Sequence, residues 1–288
     1  GQREMVAGIY HAISEKKQIF IQAPTGIGKT MSAIFPAVRS IGKELGETLF
    51  YLTARTITRT VAEEAFEILR GKGLHFKSIT ITAKEKMCFC DEMDCDPQKC
   101  AYAKGHYDRV NDAVYELWTR TETFNRETIL AQAEKYRVCP FEMTLDLAIW
   151  MDGVVCDYNY VFDPDVYLKR FFGENVKGKY IFLIDEAHNL VERGREMYSA
   201  SISKEEIEDA RKFSRPYSSR LYRMLGKAAK QMKVMQSECS SSGQILENAG
   251  TLPVSLLSIQ GEIDKLLEES TSPEFADGIL DFYFEVRE

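Results

Sequence analysis

Five short apolar runs, rich in β-branched and aromatic residues, recur through the first two thirds of the chain. Each run is nearly continuous rather than alternating, which is typical of strands covered on both faces of a parallel sheet. The runs are Gln18–Gln22, Thr48–Thr53, Ser78–Thr82, Gly153–Asp157 and Lys179–Ile184. Segments with helical periodicity, such as Thr58–Arg70, lie between some of them. This alternation predicts an α/β fold with a parallel sheet.

Two long segments interrupt the alternation. The first, residues 83–152, carries most of the cysteines and separates the third and fourth predicted strands. The second follows the fifth predicted strand and has helical periodicity from about Val191 onward. We interpret both as additions to one α/β core. The predicted domains are a core formed by residues 1–82 and 153–195, an insertion at 83–152 and a helical domain at 196–288.

The first predicted strand runs directly into Ala23-Pro24-Thr25-Gly26-Ile27-Gly28-Lys29-Thr30. This is the Walker A pattern, with Ala23 where the commonest form has glycine. Its glycines let backbone N–H groups converge on phosphate oxygens, while Lys29 is expected to reach the β- and γ-phosphates and Thr30 to ligate Mg²⁺. A glycine turn that ends by chance in Lys-Thr is the alternative, which the strand–loop–helix context disfavours. The predicted nucleotide-binding residues of this loop are Thr25, Gly26, Ile27, Gly28, Lys29 and Thr30.

The fifth predicted strand ends in Asp185-Glu186-Ala187-His188. Parallel sheets hold their ligands at the carboxyl ends of the strands. We predict that Asp185 holds Mg²⁺, that Glu186 positions and deprotonates an attacking water, and that His188 links the nucleotide site to a moving partner. The predicted catalytic residues are Lys29, Glu186 and His188. A helix start with an Asp-Glu cap is the alternative, and the Walker A pattern upstream favours the catalytic interpretation.

Together these two motifs resemble those of superfamily 2 helicases. The resemblance implies a RecA-like core that uses ATP and Mg²⁺. Tyr51-Leu52-Thr53-Ala54-Arg55-Thr56 matches the helicase motif Ia, which grips the nucleic-acid backbone at the end of the second strand. The DNA-binding residues that the match implies are Thr53, Arg55 and Thr56. Gln2, upstream of Walker A, is placed like the adenine-reading glutamine of related helicases.

Five of the seven cysteines fall within the 83–152 segment. They are Cys88, Cys90, Cys95, Cys100 and Cys139. A Cys-Pro pair that closes a set of cysteine ligands, such as Cys139-Pro140, is found in iron–sulfur proteins. Four thiolates suit either a [4Fe–4S] cluster or Zn²⁺, although the spacing lacks the Cys-x₂-Cys pairs of structural zinc sites. Disulfides, disfavoured in a cytoplasmic protein, are the third interpretation, and the spacing alone leaves all three open.

A cysteine-bearing insertion between motif Ia and the acidic motif is similar to that of the DinG/XPD family of iron–sulfur helicases. The matching stretches are Lys84–Tyr102, Cys139–Glu142 and Cys156–Pro164. The ligands of a [4Fe–4S] cluster implied by this resemblance are Cys88, Cys95, Cys100 and Cys139. Cys90 is then the spare cysteine. The resemblance also implies 5′→3′ translocation on single-stranded or forked DNA, a helical arch domain after Arg195, and bacterial relatives with an upstream nuclease domain.

The composition, 44% apolar and 28% charged, is that of an ordinary globular protein. A net charge of −7 argues against a dedicated nucleic-acid binder unless local patches are basic. The tract Arg211–Lys233 has eight basic residues and no acidic one, interleaved with Phe213, Tyr217 and Tyr222. It fits either a strand-tracking surface, with bases stacked on the rings, or a solvated helix face. No apolar run approaches the ~20 residues that span a bilayer, and a secretory pattern is absent, so we expect a cytoplasmic protein with no membrane partner.

The catalytic site that the helicase resemblance implies is incomplete in these 288 residues. They contain no Gln-x-x-Gly-Arg-x-x-Arg pattern that could supply an arginine finger, and no second RecA-like half. The abrupt start at Gly1 also suggests a piece of a longer protein. The predicted function is therefore the first motor domain of an ATP-dependent DNA helicase. The alternative is a non-motor, nucleotide-switched module that binds nucleic acid and holds zinc or an iron–sulfur cluster.

Overall fold

The computed structural model describes residues 1–24, 26–54, 56–239, 243, 248–269 and 272–288, apart from the side chains of residues 56, 57 and 123. The chain divides into two compact units, Gly1–Met197 and Tyr198–Glu288. In chain order, the first unit contains α1 (Gln2–Ser14), α2 (Lys29–Ile41), β1 (Thr48–Leu52), α3 (Thr56–Arg70), β2 (Ser78–Thr80), α4 (Lys84–Met87), α5 (His106–Arg120), β3 (Thr123–Phe124), α6 (Arg126–Tyr136), α7 (Pro140–Ala148), β4 (Gly153–Cys156), α8 (Asn159–Phe162), α9 (Lys169–Phe172), β5 (Tyr180–Ile184), a 3-10 turn (Ala187–Asn189) and α10 (Leu190–Met197).

The strands form one parallel sheet in the order β3-β2-β4-β1-β5. Successive side chains of a strand point to opposite faces. In β1, Phe50 and Leu52 pack into one hydrophobic cluster, and Leu49 and Tyr51 pack into a second one that includes residues of α2 and α3. All four side chains are buried. The predicted α/β fold with a parallel, doubly covered sheet is therefore confirmed.

The predicted strand Gln18–Gln22 is wrong, because residues 17–24 form neither helix nor strand. Phe20 within this run is 88% exposed. Among the described strands, β5 pairs on one side only, with β1, and Phe182 and Ile184 of β5 are exposed. An apolar run becomes a strand only where a neighbouring strand accepts its hydrogen bonds, and the sequence of the run does not specify that neighbour.

The cysteine-bearing segment shares its hydrophobic core with the sheet. The two-residue strand β3, which lies inside this segment, pairs in parallel with β2 and forms one edge of the sheet. Helices α5, α6 and α7 contribute Val110, Ile129 and Met143 to the cluster that contains Phe50 and Leu52. The cysteines are thus carried by a segment anchored on the α/β core.

The second unit contains four helices, α11 (Lys204–Ser214), α12 (Ser219–Glu238), α13 (Leu252–Glu268) and α14 (Pro273–Arg287). Their apolar faces meet in a separate core that includes Ile207, Leu225 and Phe275. A capping box starts α11, in which the Ser203 side chain accepts the Glu206 N–H and the Glu206 carboxylate accepts the Ser203 N–H. Among the described residues, none of the helices has both the length and the apolar character needed to span a membrane.

Candidate functional site

The loop between residues 22 and 29 curls back on itself at two glycines. Gly26 and Gly28 have φ angles of +83° and +74°, in the left-handed region that glycine adopts without strain. Helix α2 begins at Lys29, so its positive end points toward this loop. The Gln2 side-chain Nε2 donates to the Ile27 carbonyl at 2.5 Å, which places Gln2 against the loop. Thr25 lies outside the described residues.

The acidic motif begins where β5 ends. The Asp185 N–H donates to the Leu52 carbonyl at 2.9 Å, which extends the pairing of β5 with β1 by one residue. Glu186 has φ +50° and ψ +46°, a left-handed conformation that is costly for a residue with a Cβ atom. This turn brings Glu186 Oε1 to 3.2 Å from Lys29 Nζ. His188 is exposed, and its Nδ1 lies 3.4 Å from Glu186 Oε2.

Two predicted magnesium ligands, Thr30 and Asp185, meet at a tyrosine that sequence reasoning missed. The side chain of Tyr51, from β1, is buried, and both Thr30 and Asp185 lie close enough to its hydroxyl to act on its pKa. Burial raises the pKa of Tyr51, and the Asp185 charge raises it further, while the hydrogen bond with Thr30 opposes the shift. Tyr51 thus stays neutral and connects the Walker A and acidic motifs. Hydroxyl and carboxylate oxygens are the ligands that Mg²⁺ prefers.

A second missed tyrosine holds the backbone of the acidic motif. Tyr158, which follows β4, is fully buried. Its hydroxyl donates to the Asp185 carbonyl and lies 3.3 Å from the Glu186 carbonyl. The side chain of Asn189 hydrogen-bonds to the same hydroxyl. Burial is the main cause that raises the pKa of Tyr158 to about 12, so the hydroxyl keeps its proton as a donor.

The sequence gives a weak signal for these tyrosines. Tyr51 sits in a strand and Tyr158 two residues after one, and at both positions phenylalanine would pack equally well. A buried tyrosine hydroxyl nevertheless needs a polar partner. At the carboxyl end of a parallel strand, that partner is expected to be part of the ligand-binding edge of the sheet.

Asp157 links the helices that flank the two motifs. Its carboxylate oxygens lie 3.4 Å from Arg59 of α3 and 3.1 Å from Arg193 of α10. The carboxylate is mostly buried. One acidic residue at the end of β4 therefore fixes the helix that follows motif Ia and the helix that follows the acidic motif.

The predicted DNA contacts of motif Ia are only partly described. Thr53 is buried, and its hydroxyl bonds to that of Thr58, which keeps it inside the turn that starts α3. Arg55 and the side chain of Thr56 lie outside the described residues. A cleft of about 400 Å³ lies elsewhere in the first unit, between the cysteine-bearing segment and the residues before α9. Its cationic and aromatic lining residues are Lys84, Lys169, Arg170, Phe141, Tyr160 and Tyr167.

The five clustered cysteines lie as two subsets, and none forms a disulfide. In the first subset, Cys90 Sγ is 3.9 Å from Cys100 Sγ, and the Cys90 N–H donates to Cys88 Sγ at 3.4 Å. Burial, and then Cys100, raise the pKa of Cys90 to about 11. In the second subset, Cys95 hydrogen-bonds to the Lys84 ammonium, which also feels the charge of Cys139, and both effects raise the pKa of Lys84.

Cys139 sits at the N-terminus of α7, where the N–H groups of residues 141 and 142 hydrogen-bond to its sulfur. Its own N–H donates to Nδ1 of the buried His106 at 3.1 Å. Nδ1 must therefore be unprotonated, and burial is the main cause that lowers the pKa of His106. Burial is the main cause that raises the pKa of Cys139, and the N–H groups of residues 141 and 142 at the positive helix end oppose that shift. No group of three or more His, Cys, Asp or Glu side chains is arranged as a metal site in the part of the chain that the structure describes.

Comparison with known proteins matches two helicase family models to this chain. The DEAD/DEAH box helicase model matches residues 2–124, and the DEAD_2 model matches residues 72–207. The chain is 29% identical to the Fanconi anemia group J protein homolog of Gallus gallus over 115 residues, which are 40% of this chain and 9% of that protein. It is 24% identical to the ATP-dependent DNA helicase DinG of Escherichia coli K12 over 178 residues, 49% of this chain and 25% of that protein.

These matches support a DinG/XPD-like superfamily 2 helicase. Among solved structures, an XPD helicase has a TM-score of 0.56 at 18% identity and covers 99% of this chain and 46% of its own. A truncated XPD has a TM-score of 0.53 at 18% identity and covers 98% and 81%. With the parallel sheet, this likeness supports a RecA-like helicase fold. The chain spans at most a quarter of the length of the two curated relatives described.

Proposed function

We propose that this chain is the first motor domain of an ATP-dependent DNA helicase, in which ATP hydrolysis drives 5′→3′ translocation on single-stranded DNA and the unwinding of forked duplexes. The observation that carries the proposal is the 3.2 Å contact between Lys29 Nζ and Glu186 Oε1. These residues are 157 positions apart in the chain. They belong to two motifs whose side chains must act on the same phosphate.

Each polar residue of the site has a distinct task in the proposed reaction. The loop N–H groups and Lys29 bind and neutralise the β- and γ-phosphates. Thr30 and Asp185 would hold Mg²⁺, which shields phosphate charge when bound. Glu186 accepts a proton from the attacking water. The water oxygen bonds to the γ-phosphorus while the bond to the ADP oxygen breaks. Gln2, beside the loop, is proposed to read the adenine, and His188 to sense the partner domain.

Turnover is proposed to require a second RecA-like domain that is not part of these residues. Phosphoryl transfer in such enzymes relies on an arginine finger, which is worth about 10³–10⁵ in rate. The described site supplies Lys29 from one side and no arginine from β5 or the acidic motif. The arginine of α2, Arg39, lies in the last turn of that helix, over the Tyr10 ring. We expect such a domain, and in bacterial relatives an upstream nuclease domain, in the longer cytoplasmic protein.

Two substitutions test the proposal separately for binding and for chemistry. Lys29→Ala should abolish binding of a fluorescent ATP analogue. Glu186→Gln should keep binding but reduce hydrolysis to background in a protein that carries both motor domains. Glu192→Gln, which removes the same charge from the exposed side of α10, is the matched control. Turnover near wild type in Glu186→Gln would remove Glu186 from the water-activating role.

We propose that residues 83–152 form an iron–sulfur domain. Four thiols, Cys88, Cys95, Cys100 and Cys139, would hold a [4Fe–4S] cluster, which would supply a rigid cross-link between distant parts of the segment. The position of Cys139 at the N-terminus of α7 supports the proposal: burial raises the pKa of its thiol, but the N–H groups of residues 141 and 142 oppose that shift and favour the thiolate. The close approach of Cys90 to Cys100 makes Cys90 the competing ligand. Colourless protein with one tightly bound zinc ion would contradict the proposal.

Single-stranded DNA is the proposed track of the motor. Motif Ia, with Thr53, Arg55 and Thr56, is proposed to grip its backbone. The cleft beside α9 supports a second contact, because its cations suit phosphates and its rings suit bases. Residues 196–288 are proposed to be the arch domain. Fluorescence anisotropy of labelled oligo(dT) tests this proposal, and Lys84→Gln/Lys169→Gln should weaken binding if the cleft is used.

A further inference from the structure

The basic tract Arg211–Lys233 contains two kinds of cation. Three of its eight basic side chains are neutralised within the second unit. Arg211 pairs with Glu208 at 3.1 Å, Lys212 with Asp209 at 2.7 Å and Arg220 with Glu262 at 3.1 Å. These three ion pairs contribute to the local structure of the unit. The other five basic residues of the tract are not part of these pairs.

Three of the remaining cations form a row along α12, which we name the cation row: Arg223, Lys227 and Lys230. Their spacing of four and three residues places them on one face of the helix, and all three are exposed. With a rise of about 1.5 Å per residue, the row spans roughly 10 Å. Within the described residues, none of them has a carboxylate within 4.0 Å.

The cation row does not serve the fold of its own helix. The opposite side of α12 carries the buried residues Leu221, Leu225, Ala228 and Ala229, so the row points away from the core. Like charges three and four residues apart destabilise a helix by a few tenths of a kcal/mol per pair. The row therefore costs stability, in a protein whose net charge is −7. A binding role for an extended anion explains why these charges are kept with no carboxylate partner among the described residues.

The rings in the tract do not offer a stacking platform, which corrects the sequence interpretation. Phe213 and Tyr217 pack on Phe275 in the core of the unit, with ring centroids 6.1 and 5.1 Å away. Tyr222 lies beneath Arg211, at 4.6 Å, and hydrogen-bonds to it. The aromatic side chains alternate with the cations in sequence, but in the structure each of them packs against another side chain of the unit. The face can thus contact phosphates but cannot bind bases by stacking.

We infer that the cation row binds the phosphate backbone of double-stranded DNA. A surface without stacking rings binds nucleic acid through its charge alone. A duplex carries one negative charge per ~1.7 Å of its axis, which is twice the charge density of a single strand. The inference rests on the proposed function, because a motor that unwinds forks meets duplex and single strand together. It assigns the duplex contact to the second unit and leaves the single strand to motif Ia and the cleft.

The test compares two double variants of the complete chain that each remove two positive charges from the second unit. Lys227→Gln/Lys230→Gln removes two members of the cation row. Lys212→Gln/Lys265→Gln is the control, since both of those lysines are in exposed ion pairs, Lys265 with Glu269 at 3.6 Å. The probes are a short blunt duplex and oligo(dT) of equal length. Their binding is measured by fluorescence anisotropy across a salt series. Circular dichroism and binding of an ATP analogue check that the variants are folded.

The slope of log affinity against log salt should fall by about 1.8 for the duplex in the row variant, because each lost phosphate contact removes about 0.9. Between 50 and 200 mM salt, the difference from wild type should then shrink by about twelvefold. Oligo(dT) binding should change little, and the control variant should match wild type.

An unchanged duplex slope, equal losses in both variants, or a loss confined to oligo(dT) would each overturn the inference. The proposed function has its own readout, since Lys29→Ala tests nucleotide binding and leaves the cation row intact. If the row variant has no effect but Lys29→Ala abolishes nucleotide binding, the duplex contact is rejected and the proposed function as a motor domain stands.

Discussion

Removal of one hydroxyl should detach the acidic motif from the core without opening a cavity. Tyr158→Phe keeps the buried ring and deletes the oxygen that reaches the carbonyls of Asp185 and Glu186. A buried polar group left without its partner costs about 1–3 kcal/mol. Because the motif itself is partly exposed and water can reach it, we expect the free energy of unfolding to fall by about 1–2 kcal/mol.

The effect on catalysis should exceed the effect on stability. Glu186 is held at φ +50°, a conformation that costs of the order of 1–3 kcal/mol and persists only where surrounding contacts impose it. That cost is similar to what the Tyr158 hydroxyl contributes, so the turn should relax when the hydroxyl is absent. A displacement of a catalytic group by about 1 Å can lower the rate about 100-fold. Lys29 and the loop are untouched, so nucleotide affinity should change by less than about threefold.

The assay is steady-state ATP hydrolysis by a protein with both motor domains, together with urea unfolding and ATP-analogue binding by this chain. Tyr180→Phe is the matched control, since its hydroxyl donates to the Phe171 carbonyl at 3.0 Å, at the other end of β5. Both variants should lose similar stability, but only Tyr158→Phe should lose kcat. Equal kcat values in the two variants would refute the positioning role of Tyr158.

Three further outcomes follow from contacts of the described residues. Asp157→Asn should lower the free energy of unfolding by about 2 kcal/mol in urea titrations, less than the 3–5 of a fully buried pair, whereas exposed Asp209→Asn should have almost no effect. Anaerobically purified wild type should contain about four iron atoms per chain and absorb in the visible region; Cys139→Ser should bleach it, and unchanged colour would remove Cys139 from the ligand set. This chain alone should bind ATP–Mg²⁺ but hydrolyse it about 10³-fold or more slowly than a protein with both motor domains, and DNA-stimulated turnover at full rate would contradict the need for a second domain.

The sequence predicts those parts of the site that lie in contiguous motifs. The glycines of the loop, the start of α2 at Lys29 and the carboxylates after β5 follow from local patterns, because turn chemistry and strand ends are local properties. The carboxylates after β5 lie where a parallel sheet holds its ligands, but the approach of Lys29 to Glu186 cannot be derived in the same way, because the strand predicted before the loop is not formed. Four of the five predicted strands are present, with ends that differ by up to two residues.

Other features depend on pairings that no local pattern specifies. The run Gln18–Gln22 has strand composition without a strand conformation, and β3 is too short to stand out from the helices around it. The sequence pattern indicates only that Tyr51 and Tyr158 are core positions, because it does not show which groups their hydroxyls contact. The linear pattern of the basic tract also does not show where its rings lie. Phe213 and Tyr217 pack against the core of the second unit, and Tyr222 lies against Arg211.

The one-sided pairing of β5 has a practical consequence for handling this chain. An unpaired strand edge presents free N–H and C=O groups that accept any extended polypeptide, and exposed apolar side chains such as Phe182 strengthen the addition. The same chain carries an extended apolar run of its own, Gln18–Gln22, so one molecule can supply a strand to another. Concentrated preparations should therefore show strand-exchanged dimers by size-exclusion chromatography. A charged substitution at Phe20, which is 88% exposed and contributes nothing to the core, should suppress them without loss of fold.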